Sequence, residues 1–375
     1  MYLKYFLNFP NFINMKTIRS MMTMAAMACL VMVSCKEKAG NPDPVVPPPD
    51  QFIRGADLSF LPEIEGEGTV FYNEGMQAGD VLSIFRAKGM NTVRIRLWHT
   101  PQGIHSSFAE VKEFSERVRS AGMKVWLTVH YSGHWADPGK QYPPTEWQGL
   151  EFEVLKDSVY AYTMKIMNGI GPDIIQIGNE VNNGFLWPYG HIWDNEAQFV
   201  GLLDEGCRAV RDHGGNTRIM IQYAGYDGAD AFFTKIAGVD YDQIGLSYYP
   251  WWHGEDLNLL ETTMTLLREK YGKEVLIAEL AYPFTMDWDD WTNNIVGSEE
   301  QLILPAYPAS PEGQRSLLMR VRNIVVSAGG KGFAYWAPEW IAFRGPEATD
   351  GSPWENLALF DFDHRLLPGA DVFGQ

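Results

Sequence analysis

The chain has 375 residues, 46% hydrophobic and 13% aromatic, with a formal net charge of −17 at pH 7. That size and apolar content accommodate one large α/β domain or two smaller ones. The acidity argues against nucleic acid and anionic membrane surfaces as partners and fits a neutral substrate.

The N-terminal segment reads as a targeting signal. From Met15, a better start than Met1, two cations (Lys16, Arg19) precede an apolar run from Met21 to Val33. That run is too short for a comfortable membrane span. It ends in Val33-Ser34-Cys35, which resembles a bacterial lipoprotein signal, with Met32 where Leu is usual. Residues 1–34 are therefore expected to be removed and Cys35 lipidated. The alternatives are an ordinary secretory signal or a membrane anchor. Residues 35–51, rich in Pro and charge, read as an extended tether to a catalytic domain over 52–375. The expected location is the outer membrane, on its periplasmic or outer face, and Lys36-Glu37 hint at the latter. Cys29 lies in the signal and only Cys207 remains, so a buried thiol and no internal disulfide are expected.

From residue 52 onward apolar strand-like runs alternate with amphipathic helical patterns. The runs are 52–60, 91–98, 124–131, 173–180, 218–225, 243–250, 274–280 and 331–338. One intervening helix opens on Pro311 and stops at Gly329-Gly330. Eight βα repeats predict a closed (β/α)8 barrel of α/β class. An open doubly wound sheet is the alternative, but no GxGxxG or GxxxxGK[ST] follows the first run.

In such a barrel the site lies at the C-terminal strand ends. Polar and aromatic residues gather there: Asp57, Arg94, Arg96, His130, Asn179, Glu180, Tyr248, Tyr249, Glu279 and Trp336. Glu180 closes the fourth run and Glu279 the seventh. A carboxylate at the mouth of a buried strand is costly unless used, and two converging ones suit glycoside-bond chemistry. Asn179 could hold a sugar hydroxyl beside a protonated Glu180. Arg94 or Arg96, with a Tyr of the sixth run, could keep Glu279 ionised. Spacing alone leaves retention and inversion both open. Trp98, Trp135, Trp187, Trp252 and Trp340 are candidate stacking platforms, with loop packing as the alternative for each. For His130 the alternative is a satisfied strand histidine.

The stretches GADLSFLPEIE, GMNTVRIRLWHTP, VHYSGHWADPGKQYPP, IQIGNEVNNGFLWPYG, GLSYYPWW, AEL and YWAPEWI together resemble glycoside hydrolase family 53 of clan A, the endo-β-1,4-galactanases. The likeness runs from Gly55 to about Asp361. It implies a retaining enzyme acting on β-1,4-galactan and galacto-oligosaccharides, with Glu180 as acid/base and Glu279 as nucleophile. No cofactor is implied for the chemistry, and a monomer is expected. Some bacterial members hold calcium through a D-x-D-x-H-x-N loop. Here Asp287, Asp289, Trp291 and Asn293 match it, with Trp in place of His, and Ser352 and Glu355 on a second loop complete an expected calcium site. The competing readings are a clan A hydrolase of mannan or xylan and a non-catalytic glycan-binding lipoprotein. A metal-dependent hydrolase would need His clusters that the strand ends lack.

Overall fold

The structure is a computed structural model that describes residues 51–374. The expected signal, lipidated Cys35 and nearly all of the tether lie outside these residues. Eight parallel strands close into a barrel in sequence order: β1 Ile53–Asp57, β2 Thr92–Leu97, β3 Lys124–Val129, β4 Ile174–Ile177, β5 Arg218–Ala224, β6 Gln243–Tyr248, β7 Glu274–Leu280 and β8 Gly332–Trp336. Helices such as Phe108–Ser120, Phe152–Gly169, Glu196–His213 and Leu257–Tyr271 alternate with them on the outside. The expected barrel is thus the observed one.

Local chemistry explains the elements. Ser107 caps Phe108–Ser120 by accepting from Glu110 N, and Ser310 caps Pro311–Ser327 by accepting from Gly313 N. Along β2 the side chains alternate. Val93, Ile95 and Leu97 join the shell between strands and helices, while Arg94 and Arg96 turn into the barrel. The barrel interior is graded. Its lower half is an apolar plug of Ile53, Trp126, Ile174, Met220, Leu276, Ala278 and Ala334. Gly245 is needed there, because a Cβ would lie 2.7 Å from Met220 Sδ. Above the plug the interior becomes polar, with Gln176, Arg94 and Gln222 all buried. Those groups form the floor of the site.

Candidate active site

The floor opens at the C-terminal strand ends into a cleft of about 530 Å³. Of the residues expected there, Asp57, Arg94, Arg96, His130, Trp135, Asn179, Glu180, Tyr249, Trp252, Glu279 and Trp336 line it. Asp137, Asn182, His253 and Trp354 also line it and were not anticipated.

Glu180 does not end a strand, as its sequence context had indicated. β4 stops at Ile177, Gly178 turns at φ +81°, and Glu180 itself has φ +47°. A left-handed conformation costs a non-glycine residue about 1–2 kcal/mol. Neighbouring groups hold it there. Gln222 Oε1 accepts from Glu180 N at 3.2 Å, and Gln141 Nε2 donates to the carbonyls of Asn179 at 2.7 Å and Glu180 at 3.2 Å. The loop after β3 is tied to this turn at three more points. Asn179 Nδ2 donates to Ala136 O, Asn183 Nδ2 to Pro138 O, and Trp187 N to Gln141 O, each at 2.8 Å.

The two carboxylates sit in contrasting surroundings. Glu279 Oε1 accepts from Arg94 Nη2 at 2.7 Å and Gln222 Nε2 at 2.8 Å, and its Oε2 accepts from Tyr249 Oη at 2.8 Å. Three donors, one of them the Arg94 cation, fit a carboxylate. Among the described residues the Glu180 carboxyl has one donor, Ser247 Oγ at 2.6 Å. Burial, reinforced by the negative charge of Glu279, pushes its carboxyl from the ordinary 4.5 up to about 8. The Glu180 carboxyl is thus pushed toward its protonated form, beside a second carboxyl bound by Arg94, Gln222 and Tyr249.

Arg94 organises the floor. Only 1% of its side chain is exposed, and its guanidinium reaches Asp57 at 2.6 Å, Glu279 at 2.7 Å and Asn179 Oδ1 at 2.9 Å. Breaking a buried pair of this kind by removing one partner costs about 3–5 kcal/mol. Arg96 is buried beneath aromatic rings, its guanidinium 4.1 Å from Trp135, 4.5 Å from Trp98 and 4.6 Å from Phe60. Two imidazoles are fixed as donors. His130 Nδ1 accepts from Ala136 N and His253 Nδ1 from Tyr249 N, both at 3.0 Å. Burial lowers both rings below the ordinary 6.5, His253 to about 4. Each ring is therefore neutral with its hydrogen on Nε2, a donor suited to sugar hydroxyls. Trp135 and Trp252, 36% and 57% exposed, line the cleft as aromatic surface available to a sugar.

The sequence profile of glycosyl hydrolase family 53 matches residues 53–373, nearly all of the described chain. The chain belongs to glycosyl hydrolase family 53. An arabinogalactan endo-β-1,4-galactanase of Cellvibrio japonicus is 36% identical over 83% of this chain and 86% of its own length. An endo-β-1,4-galactanase of Bacillus subtilis is 32% identical, covering 86% of this chain and 85% of its own. Among solved structures, the family 53 catalytic domain of Ignisphaera aggregans superposes with a TM-score of 0.82 at 36% identity, covering 89% of this chain and 98% of that one.

Four aromatic expectations for this family 53 barrel need correction. Tyr248 points out of the barrel and donates to Gly254 O, because alternation along β6 turns Ser247 and Tyr249 inward instead. Trp98 lies behind Arg96 and does not line the cleft. Trp340 is stacked on Phe60, with centroids 3.7 Å apart, also away from the cleft wall. Trp187 lines a separate hollow of about 340 Å³ with Tyr142, Trp147 and Tyr189.

The calcium expectation also changes. Among the described residues, no three acidic, His or Cys side chains are grouped to hold a metal ion. Glu355 joins the two loops directly, accepting from Asp289 N at 2.9 Å, Asp290 N at 3.3 Å and Asn294 Nδ2 at 3.3 Å. Ser352 Oγ donates to Trp340 O. Asp287, Trp291 and Asn293 are exposed. Two of the six expected ligands, Ser352 and Glu355, are thus engaged in protein hydrogen bonds.

The groups missed from sequence were chiefly the floor glutamines and Ser247. Gln176 and Gln222 each interrupt an apolar strand, which was a usable signal for a polar floor. The alternation along β6 turns Ser247 inward, whereas nothing local distinguishes His253 or Trp354.

Proposed function

We propose that the protein is an endo-acting, retaining β-1,4-galactanase. Glu180 gives its proton to the leaving glycosidic oxygen while Glu279 attacks the anomeric carbon, forming a covalent galactosyl-enzyme. Glu180, now a carboxylate, takes a proton from water, whose oxygen displaces Glu279 and restores the starting anomer. The observation that carries this reading is the contrast between the two carboxyls, Glu180 buried with a single hydroxyl donor and pushed toward its protonated form, Glu279 bound by Arg94, Gln222 and Tyr249. The galactan assignment rests on the named activities of the Cellvibrio and Bacillus relatives.

An anomeric NMR time course on unbranched β-1,4-galactan tests it. The expected result is internal cleavage with β-configured reducing ends appearing first. Intact galactan, with mannan or xylan cleaved instead, overturns the substrate, and early α products overturn double displacement.

We further propose that the enzyme is exported as a monomeric lipoprotein anchored at the outer membrane through Cys35. The apolar run ending in Val33-Ser34-Cys35 supports this. Cells producing the full chain are expected to incorporate labelled palmitate into the protein and to lose the label in Cys35→Ala. An unlabelled wild type sinks the anchor.

A further inference from the structure

Ser247 lies on β6 beside Glu279 on β7. In the lower part of this strand pair Leu246 faces Ile277, but the next pair is Ser247 with Glu279, so one residue of β7 is bulged out. The bulge sets Glu279 opposite Ser247, whose hydroxyl is bonded directly to Glu180 and linked to Glu279 through the Gln222 amide. Ser247 is 1% exposed and does not line the cleft, so it acts on substrate only through its neighbours.

The hydrogen bonds around it have a determined direction. Gln222 Oε1 accepts from Glu180 N at 3.2 Å, from Arg94 Nη2 at 3.3 Å and from Gln176 Nε2. Its amide nitrogen is thereby turned the other way. One hydrogen goes to Glu279 Oε1 at 2.8 Å and the second to Ser247 Oγ at 3.0 Å. A serine oxygen that already receives an N–H has its own hydrogen left to give. That hydrogen points to Glu180 Oε1, 2.6 Å away.

Resting on the two-carboxylate reading above, we infer that Ser247, oriented by Gln222, is a positioning residue that reserves Oε1 of Glu180 as an acceptor and so fixes the transferable proton on Oε2. Without it the proton could reside on either oxygen, and only one of them serves the leaving group. The same chain of bonds links the two halves of the reaction. While Glu279 is charged it draws strongly on the Gln222 amide, which then gives less to Ser247. Once Glu279 is esterified, the amide gives more to Ser247, whose O–H becomes a stronger donor to Glu180. A stronger donor favours the carboxylate, the form needed for the second step. The other charged or titratable groups around Glu180 are Glu279 on β7, Arg94 on β2, Asp137 on the loop after β3 and Tyr249 just past β6. Substitution at Ser247 leaves all of them in place.

Two variants test this, Ser247→Ala and the hydroxyl-bearing Ser247→Thr, each checked for native circular dichroism. The first readout is independent of catalysis: a carboxyl-13C NMR titration of Glu180, its signal assigned by its loss in Glu180→Gln. Ser247→Ala is expected to raise the midpoint by about one pH unit, the worth of one hydrogen bond, and Ser247→Thr to restore it. The alkaline limb of kcat/KM on galactan should move with it, and the galactan rate should fall about tenfold or more. A dinitrophenyl β-galactobioside, whose leaving group needs no proton, should lose less than about twofold in its first step. An unchanged Glu180 titration in folded Ser247→Ala overturns the inference. So does an equal loss on both substrates. A shifted titration in an enzyme that leaves galactan intact upholds the inference and rejects only the substrate assignment.

Discussion

Glu279→Ala is expected to reduce galactan turnover by on the order of 10⁵-fold, the scale seen when an attacking group is removed. The fold should persist, because Arg94 keeps Asp57 at 2.6 Å and the acceptor Asn179 Oδ1 at 2.9 Å. Truncation leaves a space beneath the anomeric carbon with Tyr249 Oη and Gln222 Nε2 still facing it. A small anion such as azide can enter that space and attack from the side Glu279 used. Azide should therefore rescue cleavage of a dinitrophenyl β-galactobioside and yield the α-galactosyl azide, identified by its anomeric coupling. Residual galactan activity above about 1% of wild type would require a different nucleophile.

Glu180→Gln is expected to lower galactan turnover about 10²–10⁴-fold while sparing the first step on a dinitrophenyl substrate. In the wild type, kcat/KM should fall as pH rises through about 8, where Glu180 loses its proton. That limb should be absent from the variant. The same proton governs stability. A carboxyl raised from 4.5 unfolded to about 8 folded binds its proton more tightly in the native state. Its stabilising effect relative to an ionised group is fully present below about 4.5 and is lost as pH rises through about 8. The neutral amide has no charge to desolvate. Relative to wild type, Glu180→Gln should therefore gain stability as pH rises from 4 to 9, by a few degrees in Tm on the order expected for this chain length. A wild-type alkaline limb that survives in the variant would assign it to another group.

The barrel was legible because each strand is an apolar run that cannot be mistaken for its flanking amphipathic helices. β7 begins and ends where the pattern does. The site was legible in outline for the same reason, since a barrel displays what lies at its strand ends. What failed was finer geometry. The apolar pattern of the fourth run extends to Glu180, whereas Gly178 already turns the chain at φ +81°. Tyr248 and Tyr249 were treated alike, although Gln243, Gly245, Ser247 and Tyr249 alternate with Ile244, Leu246 and Tyr248, and the alternation alone assigns the inward face. Trp98, Trp187 and Trp340 lie on or beside loops, where no period fixes a direction. The loop acids matched a metal-binding spacing, but spacing does not reveal that Glu355 is spent on the backbone of Asp289 and Asp290.

The ties between the loop after β3 and the Glu180 turn carry a consequence for how sugar binding reaches the chemistry. Trp135, Ala136, Asp137 and Pro138 line the cleft on that loop, and Ala136 O and Pro138 O are held by Asn179 and Asn183. Gln141, three residues on, grips the carbonyls of Asn179 and Glu180 themselves. The wall that recognises the chain and the residue that breaks it are thus one braced unit. A glycan that seats poorly against Trp135 and Pro138 strains the same bonds that aim the acid, so misfit is registered as slow cleavage as well as weak binding.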